Sequence, residues 1–254
     1  MESALDYHTA KALLEWQVEF GVTETISDTP INRFEVKPEP KKAPAAAVAE
    51  AAAPVQRPAV DGVELARGAA AGSGDIAALK AALAAFEACD LKRGARNLVF
   101  SDGVVGSRVM IIGDAPERDE DREGRPFVGD AGVLLDKMLG AIDLDRSKDV
   151  YLTMALPWRL PRNQEPKPDD LAMMLPFLER HITLAKPEFV VLMGNIACQA
   201  VLKKRGISRL RGEWAEAMGV PVLPMYAPSY LLENPEKKRE AWADLLDLKA
   251  RLRG

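Results

Sequence analysis

The sequence predicts an α/β protein, a three-layer αβα sandwich around a central four-stranded parallel sheet, preceded by a disordered N-terminal extension that carries one short helix. Three observations predict it. Short apolar runs alternate with amphipathic segments of about 10 to 17 residues, the pattern of strands joined by crossover helices. The stretch after Asn32 shifts to Pro, Ala, Lys and Glu, a composition with few groups able to bury. The segments that follow the apolar runs carry Gly, Pro and Asn, and the ends of strands are where sheets of this kind bind ligands.

Taken in order, Thr9 to Glu19 places Ala10, Leu13, Leu14 and Val18 at helical spacing, with Trp16 and Phe20 nearby. Residues 1–32 therefore read as a short amphipathic helix and tail, either docked on a core or laid in a partner's groove. Residues 33–74, including EVKPEPKKAPAAAVAEAAAPVQRPAV, read as an Ala/Pro-rich disordered linker. Residues 75–254 read as the folded domain. It opens with a helix carrying Ile76, Leu79, Leu83 and Phe86. VMIIG (Val109 to Gly113), VYLTM (Val150 to Met154), FVVLMG (Phe189 to Gly194) and VPVLPMY (Val220 to Tyr226) are the four buried strands. Helices are expected over Leu134 to Ile142, from Pro168 through Asp169 to Ala185, from Asn195 onward, and from Pro235 to Leu252, with Pro favoured in a first turn.

The 254 residues are 48% hydrophobic and 28% charged, an ordinary globular composition, with a formal net charge of -4. An acidic balance does not exclude nucleic acid, because a basic footprint is local. Cys89 and Cys198 are the only cysteines, too few and too far apart for a disulfide framework or a four-thiolate site. Cys198 is expected as a small core residue. MESALDYHTAK has no basic start or apolar run of a signal peptide, and no segment reaches the roughly 20 apolar residues of a membrane span, so a cytoplasmic protein without membrane contact is expected.

The loop after the first strand, GDAPERDEDREGRPFVGDAG from Gly113 to Gly132, is the most specific part of the chain. It resembles the GEAPG...D...G.PFVG..G signature of family-4 uracil-DNA glycosylases, and APSYLL, Ala227 to Leu232, is similar to their HPSYLL. The resemblance covers about Phe86 to Arg253. It implies hydrolysis of the bond between uracil and deoxyribose in single- or double-stranded DNA, with the base flipped out of the stack into a pocket. The base-binding positions it implies are Gly113, Ala115, Pro116, Glu117, Phe127, Met154, Asn195, Ala227, Pro228 and Ser229. Phe127 stands where the family stacks an aromatic wall on uracil; a plain core phenylalanine is the alternative.

The departures are as informative as the matches. The family's glutamate is Asp114 here, a methylene shorter and the candidate for positioning water, and its second glycine is Glu117. The amide that reads the uracil edge aligns with Met154, and the histidine that supports the departing uracilate aligns with Ala227. His8 and His181 lie outside the motif loops. Loss of one preorganised donor to a developing anion costs about a hundred- to a thousandfold in rate. Asp114, Glu117, Asp119, Glu120 and Asp121 crowd one loop, and geometry decides which of them activates water; apart from Asp114, a plain solvated loop is the alternative.

The family holds an iron-sulfur cluster with four cysteines. Cys89 matches the first ligand position, whereas Lys92, Trp158 and Met174 stand at or near the others, so no cluster and no metal are expected. Trp158 and Met174 are expected as apolar packing. Candidate DNA contacts are the basic cluster Lys203, Lys204, Arg205, Arg209 and Arg211, and Leu231 and Leu232, which match an apolar loop pressed into the duplex. Glu233 follows where the family usually has arginine. Three readings remain open: a glycosylase of base-excision repair; a catalytically impaired glycosylase fold that binds DNA or a repair partner, with the N-terminal helix as a recruitment element; and, least favoured, a globular remnant with no DNA role.

Overall fold

The computed structural model describes residues 7–19, 61–161 and 164–254. The chain divides into two units, Met1–Pro54 and Val55–Gly254. In the first, helix α1 spans Tyr7–Glu19, with Leu13, Leu14 and Trp16 exposed and Lys11 3.4 Å from Glu15. The rest of the expected tail, and the linker as far as residue 60, lie outside the described residues.

The second unit begins with two short helices, α2 (Gly62–Ala71) and α3 (Ile76–Ala85), each capped by an aspartate: Asp61 accepts Val63 N–H and Asp75 accepts Ala78 N–H. Helix α2 falls inside the range expected to be linker. It packs on α3 and on the long helix α7 through Ala66 and Ala70, both buried. Buried alanines give no apolar stripe in the sequence, which is why the composition reads as a tether.

The short helix α4 (Leu91–Gly94) leads into the sheet. Its strands are β1 (Ser101–Gly103), β2 (Val109–Gly113), β3 (Val150–Met154), β4 (Phe189–Met193), β5 (Ala215–Ala217) and β6 (Val220–Met225), in the order β1-β3-β2-β4-β6-β5. The four expected strands form the parallel centre. The sheet has six strands rather than four, because β1 and β5 add antiparallel edges to β3 and β6. Every residue of β2 and β3 is buried, as strands covered on both faces must be. The connecting and closing helices are α5 (Arg118–Glu123), α6 (Gly129–Gly140), α7 (Pro168–Ala185), α8 (Asn195–Leu202), α9 (Ile207–Leu210), α10 (Pro228–Glu233) and α11 (Lys238–Arg253), the last preceded by a 3-10 turn, Pro235–Lys237.

Register sets the site. Gly113 lies opposite Met154 on one side and Met193 on the other, and Met193 opposite Met225, so four parallel strands end in one row. The loops that leave this row are the ones singled out by the sequence. Among the described residues, no helix is long and apolar enough to cross a membrane.

Candidate active site

A cavity of about 100 Å³ opens at the carboxyl ends of β2, β3, β4 and β6, bounded by Asp114, Ala115, Glu117, Glu120, Phe127, Ala131, Met154, Met193, Ala227, Pro228 and Ser229. Eight of the expected site residues thus share one hollow. Gly113 lies beneath it. A Cβ there would fall 2.5 Å from Met154 Sδ and 2.7 Å from the tip of the Phe127 ring, so glycine is what lets ring and thioether pack over the strand end. Pro116 and Asn195 line a neighbouring hollow of about 290 Å³, with Asp114 and Arg205. Asp114 and Glu117 face both hollows.

Phe127 is 4% exposed and its backbone is left-handed, with φ +52°. That conformation is rare for a bulky side chain and persists only where the surroundings enforce it. Its N–H donates to Oε1 of Glu120 at 2.7 Å, and its carbonyl accepts Arg146 Nη1 at 2.6 Å. Glu120 is therefore not part of a solvated run. It is buried, its other oxygen accepts Glu117 N–H at 2.7 Å, and burial pushes its carboxyl up to about 7. Asp121 is buried too, accepting the N–H groups of Arg96 and Asn97 at 2.8 and 3.2 Å. The acidic sequence hides two structural carboxylates, because a buried acid bonded to backbone donors has no distinctive neighbours in the chain.

Asp114 Oδ1 accepts the N–H of Ala197, in the first turn of α8, at 2.8 Å. Burial raises its carboxyl to about 6, against the opposing pull of the amides of Ala197, Ile196 and Asn195 and the charge of Arg205. It is thus a partly desolvated carboxylate at the cavity edge, a fitting site for holding or accepting a proton near neutrality. Met154 contributes a thioether and Ala227 a methyl group, so neither offers a hydrogen-bond donor from its side chain. His181 is far from taking over: it is buried, stacked on Phe100, within 2.8 Å of Tyr151 Oη, and burial lowers it to about 4.

Several of the expected contact residues are engaged or buried within the protein itself. Asn195 Oδ1 accepts Gly206 and Ile207 N–H at 3.1 and 2.9 Å, so its side chain ties a loop. Leu231 is 1% exposed and belongs to the core, whereas Leu232 is 42% exposed. Arg211 is half-buried, held by Asp244 and by the Glu240 carbonyl, whereas Lys203, Lys204, Arg205 and Arg209 are exposed. Arg205 forms a two-point pair with Glu165 at the rim of the larger hollow.

The donor set does not fit an iron-sulfur cluster. Cys89, Trp158 and Met174 are buried apolar packing, and the Lys92 ammonium is bonded to the Ala84 carbonyl at 2.7 Å and paired with Glu87. One thiolate among an indole, a thioether and an engaged ammonium cannot replace four thiolates. Cys198 is likewise core, its thiol pushed up to about 12 by burial.

Residues 100–246 match the family model of the uracil DNA glycosylase superfamily. The chain is 35% identical over 165 residues to a type-4 uracil-DNA glycosylase of Archaeoglobus fulgidus, covering 61% of this chain and 82% of that one. It is 35% identical over 150 residues to a type-4 uracil-DNA glycosylase of Thermotoga maritima, covering 58% and 78%. A type-5 uracil-DNA glycosylase of Pyrobaculum aerophilum is 33% identical over 149 residues, covering 52% and 66%. With the matched segment running from the approach to β1 into α11 and enclosing every wall of the cavity, the chain belongs to the uracil DNA glycosylase superfamily.

Proposed function

We propose that the protein hydrolyses the N-glycosidic bond of uracil in DNA, as a glycosylase of base-excision repair. The observation that carries this reading is the cavity that Phe127, Pro228, Ser229 and Asp114 line together. The flipped base stacks on Phe127, worth about 1 to 3 kcal/mol for an aromatic–base contact. Asp114 orients and deprotonates the water that attacks C1′ of the sugar. As the bond breaks, the electron pair leaves with the base, and the Ser229 hydroxyl with the first-turn amides of α10 holds the resulting anion. Leu232 and the exposed cations Lys203, Lys204, Arg205 and Arg209 meet the strand. No cluster takes part, and the purified protein is expected to be colourless.

The test is incubation with a uracil-containing single strand followed by alkali. Cleavage abolished by Asp114→Asn supports the proposal; no cleavage by the wild-type protein sinks it. A second reading, a DNA-binding module on a weakened glycosylase fold, is favoured by one observation: Met154 and Ala227 line the cavity without a polar side-chain group. Salt-sensitive binding of the same strand without cleavage decides for it. Recruitment through α1 would show as capture of a repair protein by the full chain that is lost on Leu13→Asp.

A further inference from the structure

We propose that Glu120 and Arg146 are positioning residues that hold Phe127 in its left-handed conformation and so set the plane of the cavity wall; this rests on the reading above that Phe127 is the stacking surface. Four observations converge on it. The Phe127 backbone, at φ +52°, is gripped at both poles: the N–H by Glu120 Oε1 at 2.7 Å and the carbonyl by Arg146 Nη1 at 2.6 Å. Arg146 Nη2 also donates to the Pro126 carbonyl at 2.6 Å, and its Nε to Asp102 at 2.9 Å, so the guanidinium spans two successive peptides and is itself anchored to β1. Its planar fork matches that arrangement as an ammonium cannot. The Phe127 carbonyl leans on Gly132, where a Cβ would lie 2.2 Å away, and the ring lies over Gly113.

Ordinary structural roles account for part of this and leave the rest over. A capping box for α5 needs the Glu120 oxygen that accepts Glu117 N–H; it does not need the second oxygen on Phe127. An ion pair with Asp102 needs one Arg146 nitrogen, not two further bonds to carbonyls. A phenylalanine that merely fills core has no use for a backbone conformation costing about 1 to 3 kcal/mol. In that conformation Phe127 lines the cavity with its ring tip packed over Gly113. The same Glu120 carboxylate joins Glu117 to Phe127, both of which bound the cavity, so their separation is fixed by one rigid group. Preorganisation of this kind raises the rate by sparing the wall a search for its place when the base arrives.

Two substitutions remove the grip while keeping the size of each side chain. Glu120→Gln leaves one carbonyl oxygen for two N–H donors, and Arg146→Lys leaves one ammonium where three anchors were bridged. Amide hydrogen exchange reads the grip directly: the Phe127 N–H should exchange about tenfold faster or more in each variant, with the β2 and β4 amides unchanged. An unchanged Phe127 amide in both variants overturns the proposal, whatever the protein does to DNA. Single-turnover cleavage of a uracil-containing strand, or affinity for that strand if it is only bound, reads the consequence through a double-mutant cycle. Each single variant should lose about tenfold, and Glu120→Gln/Phe127→Ala should be no worse than Phe127→Ala alone. Losses that multiply would show that Glu120 acts elsewhere and overturn the positioning role. Should Glu120→Gln not fold, Arg146→Lys and its double variant carry the same two tests. A wild-type protein that neither cleaves nor binds the strand refutes the proposed function, and the exchange measurement still decides the grip.

Discussion

Oδ1 of Asp114 lies 2.8 Å from the backbone nitrogen of Ala197, so the acid at the end of β2 caps the first turn of α8 from across the sheet. The carboxylate fits there because Gly194, the residue before the helix, has no side chain. Its φ is +118°, and a Cβ would stand 2.3 to 2.5 Å from the carboxylate atoms. Gly194→Ala is therefore strained twice, by backbone and by contact. It should lower unfolding stability by about 1 to 3 kcal/mol and displace Asp114, cutting any cleavage activity with it. Urea unfolding together with cleavage of a uracil-containing strand checks both; a variant as stable and as active as wild type would show that the carboxylate has room to spare.

The two raised carboxyls make stability depend on pH in a stated direction. Asp114 moves from 3.8 to about 6 and Glu120 from 4.5 to about 7, both chiefly through burial. Folding favours the neutral form of each. The contribution is complete below about pH 4 and is lost as pH rises through about 6 for Asp114 and about 7 for Glu120, by up to about 3 kcal/mol for each group. Urea unfolding of wild type from pH 5 to 8 should show that decline, and Glu120→Gln should flatten its upper part. Parallel curves for the two proteins would sink the assignment to Glu120. In cleavage, a base must be ionised, so the single-turnover rate should rise with a midpoint near pH 6 if Asp114 activates water.

How much of this was readable from the chain depends on where each interaction partner lies. VMIIG, VYLTM, FVVLM and VPVLPM are apolar enough to announce buried strands, and their ends led to Asp114, Phe127, Met154 and Ala227. The edges were hidden. SDG and AEA are three residues each, polar or small, and become strands only by pairing with β3 and β6. The hairpin from β5 to β6 turns through Met218 and Gly219, both at positive φ, where Asn or Asp would have signalled the turn. Glu120 and Arg146 escaped for a related reason. The one sits in a run that looks solvated and the other in a polar turn 19 residues beyond Phe127, and only the fold brings them to the N–H and the carbonyl of one residue.

Leu231 and Leu232 are adjacent in the chain and should separate cleanly on substitution. Leu231 is core, so Leu231→Ala should cost about 2 to 5 kcal/mol of stability, read as a lowered urea midpoint. Leu232 is exposed at the turn of α10, so Leu232→Ala should change stability by about 0.5 kcal/mol or less while weakening affinity for uracil-containing duplex. An unchanged duplex affinity in Leu232→Ala would remove that side chain from the DNA face.

The basic segment after α8 divides in the same way, by what holds each cation. Lys204 and Arg209 are exposed, so each alanine substitution should leave the urea midpoint alone and weaken strand binding. The dependence of log affinity on log salt should fall by about 1 for each phosphate contact removed. Arg211 is different. Its guanidinium meets Asp244, whose side chain is 2% exposed, and it lies 6.0 Å from the centre of the Tyr226 ring. Burial raises the Asp244 carboxyl and the arginine opposes that rise, so removing the arginine leaves a desolvated carboxylate without its partner. Arg211→Ala should thus lower stability by about 3 to 5 kcal/mol, as loss of one member of a buried pair does. Arg211→Ala/Asp244→Ala should recover part of that loss, because no orphaned charge remains. A salt slope unchanged in folded Arg211→Ala would confirm that this arginine serves the join between α11 and the sheet, while a slope reduced by about 1 would return it to the DNA face.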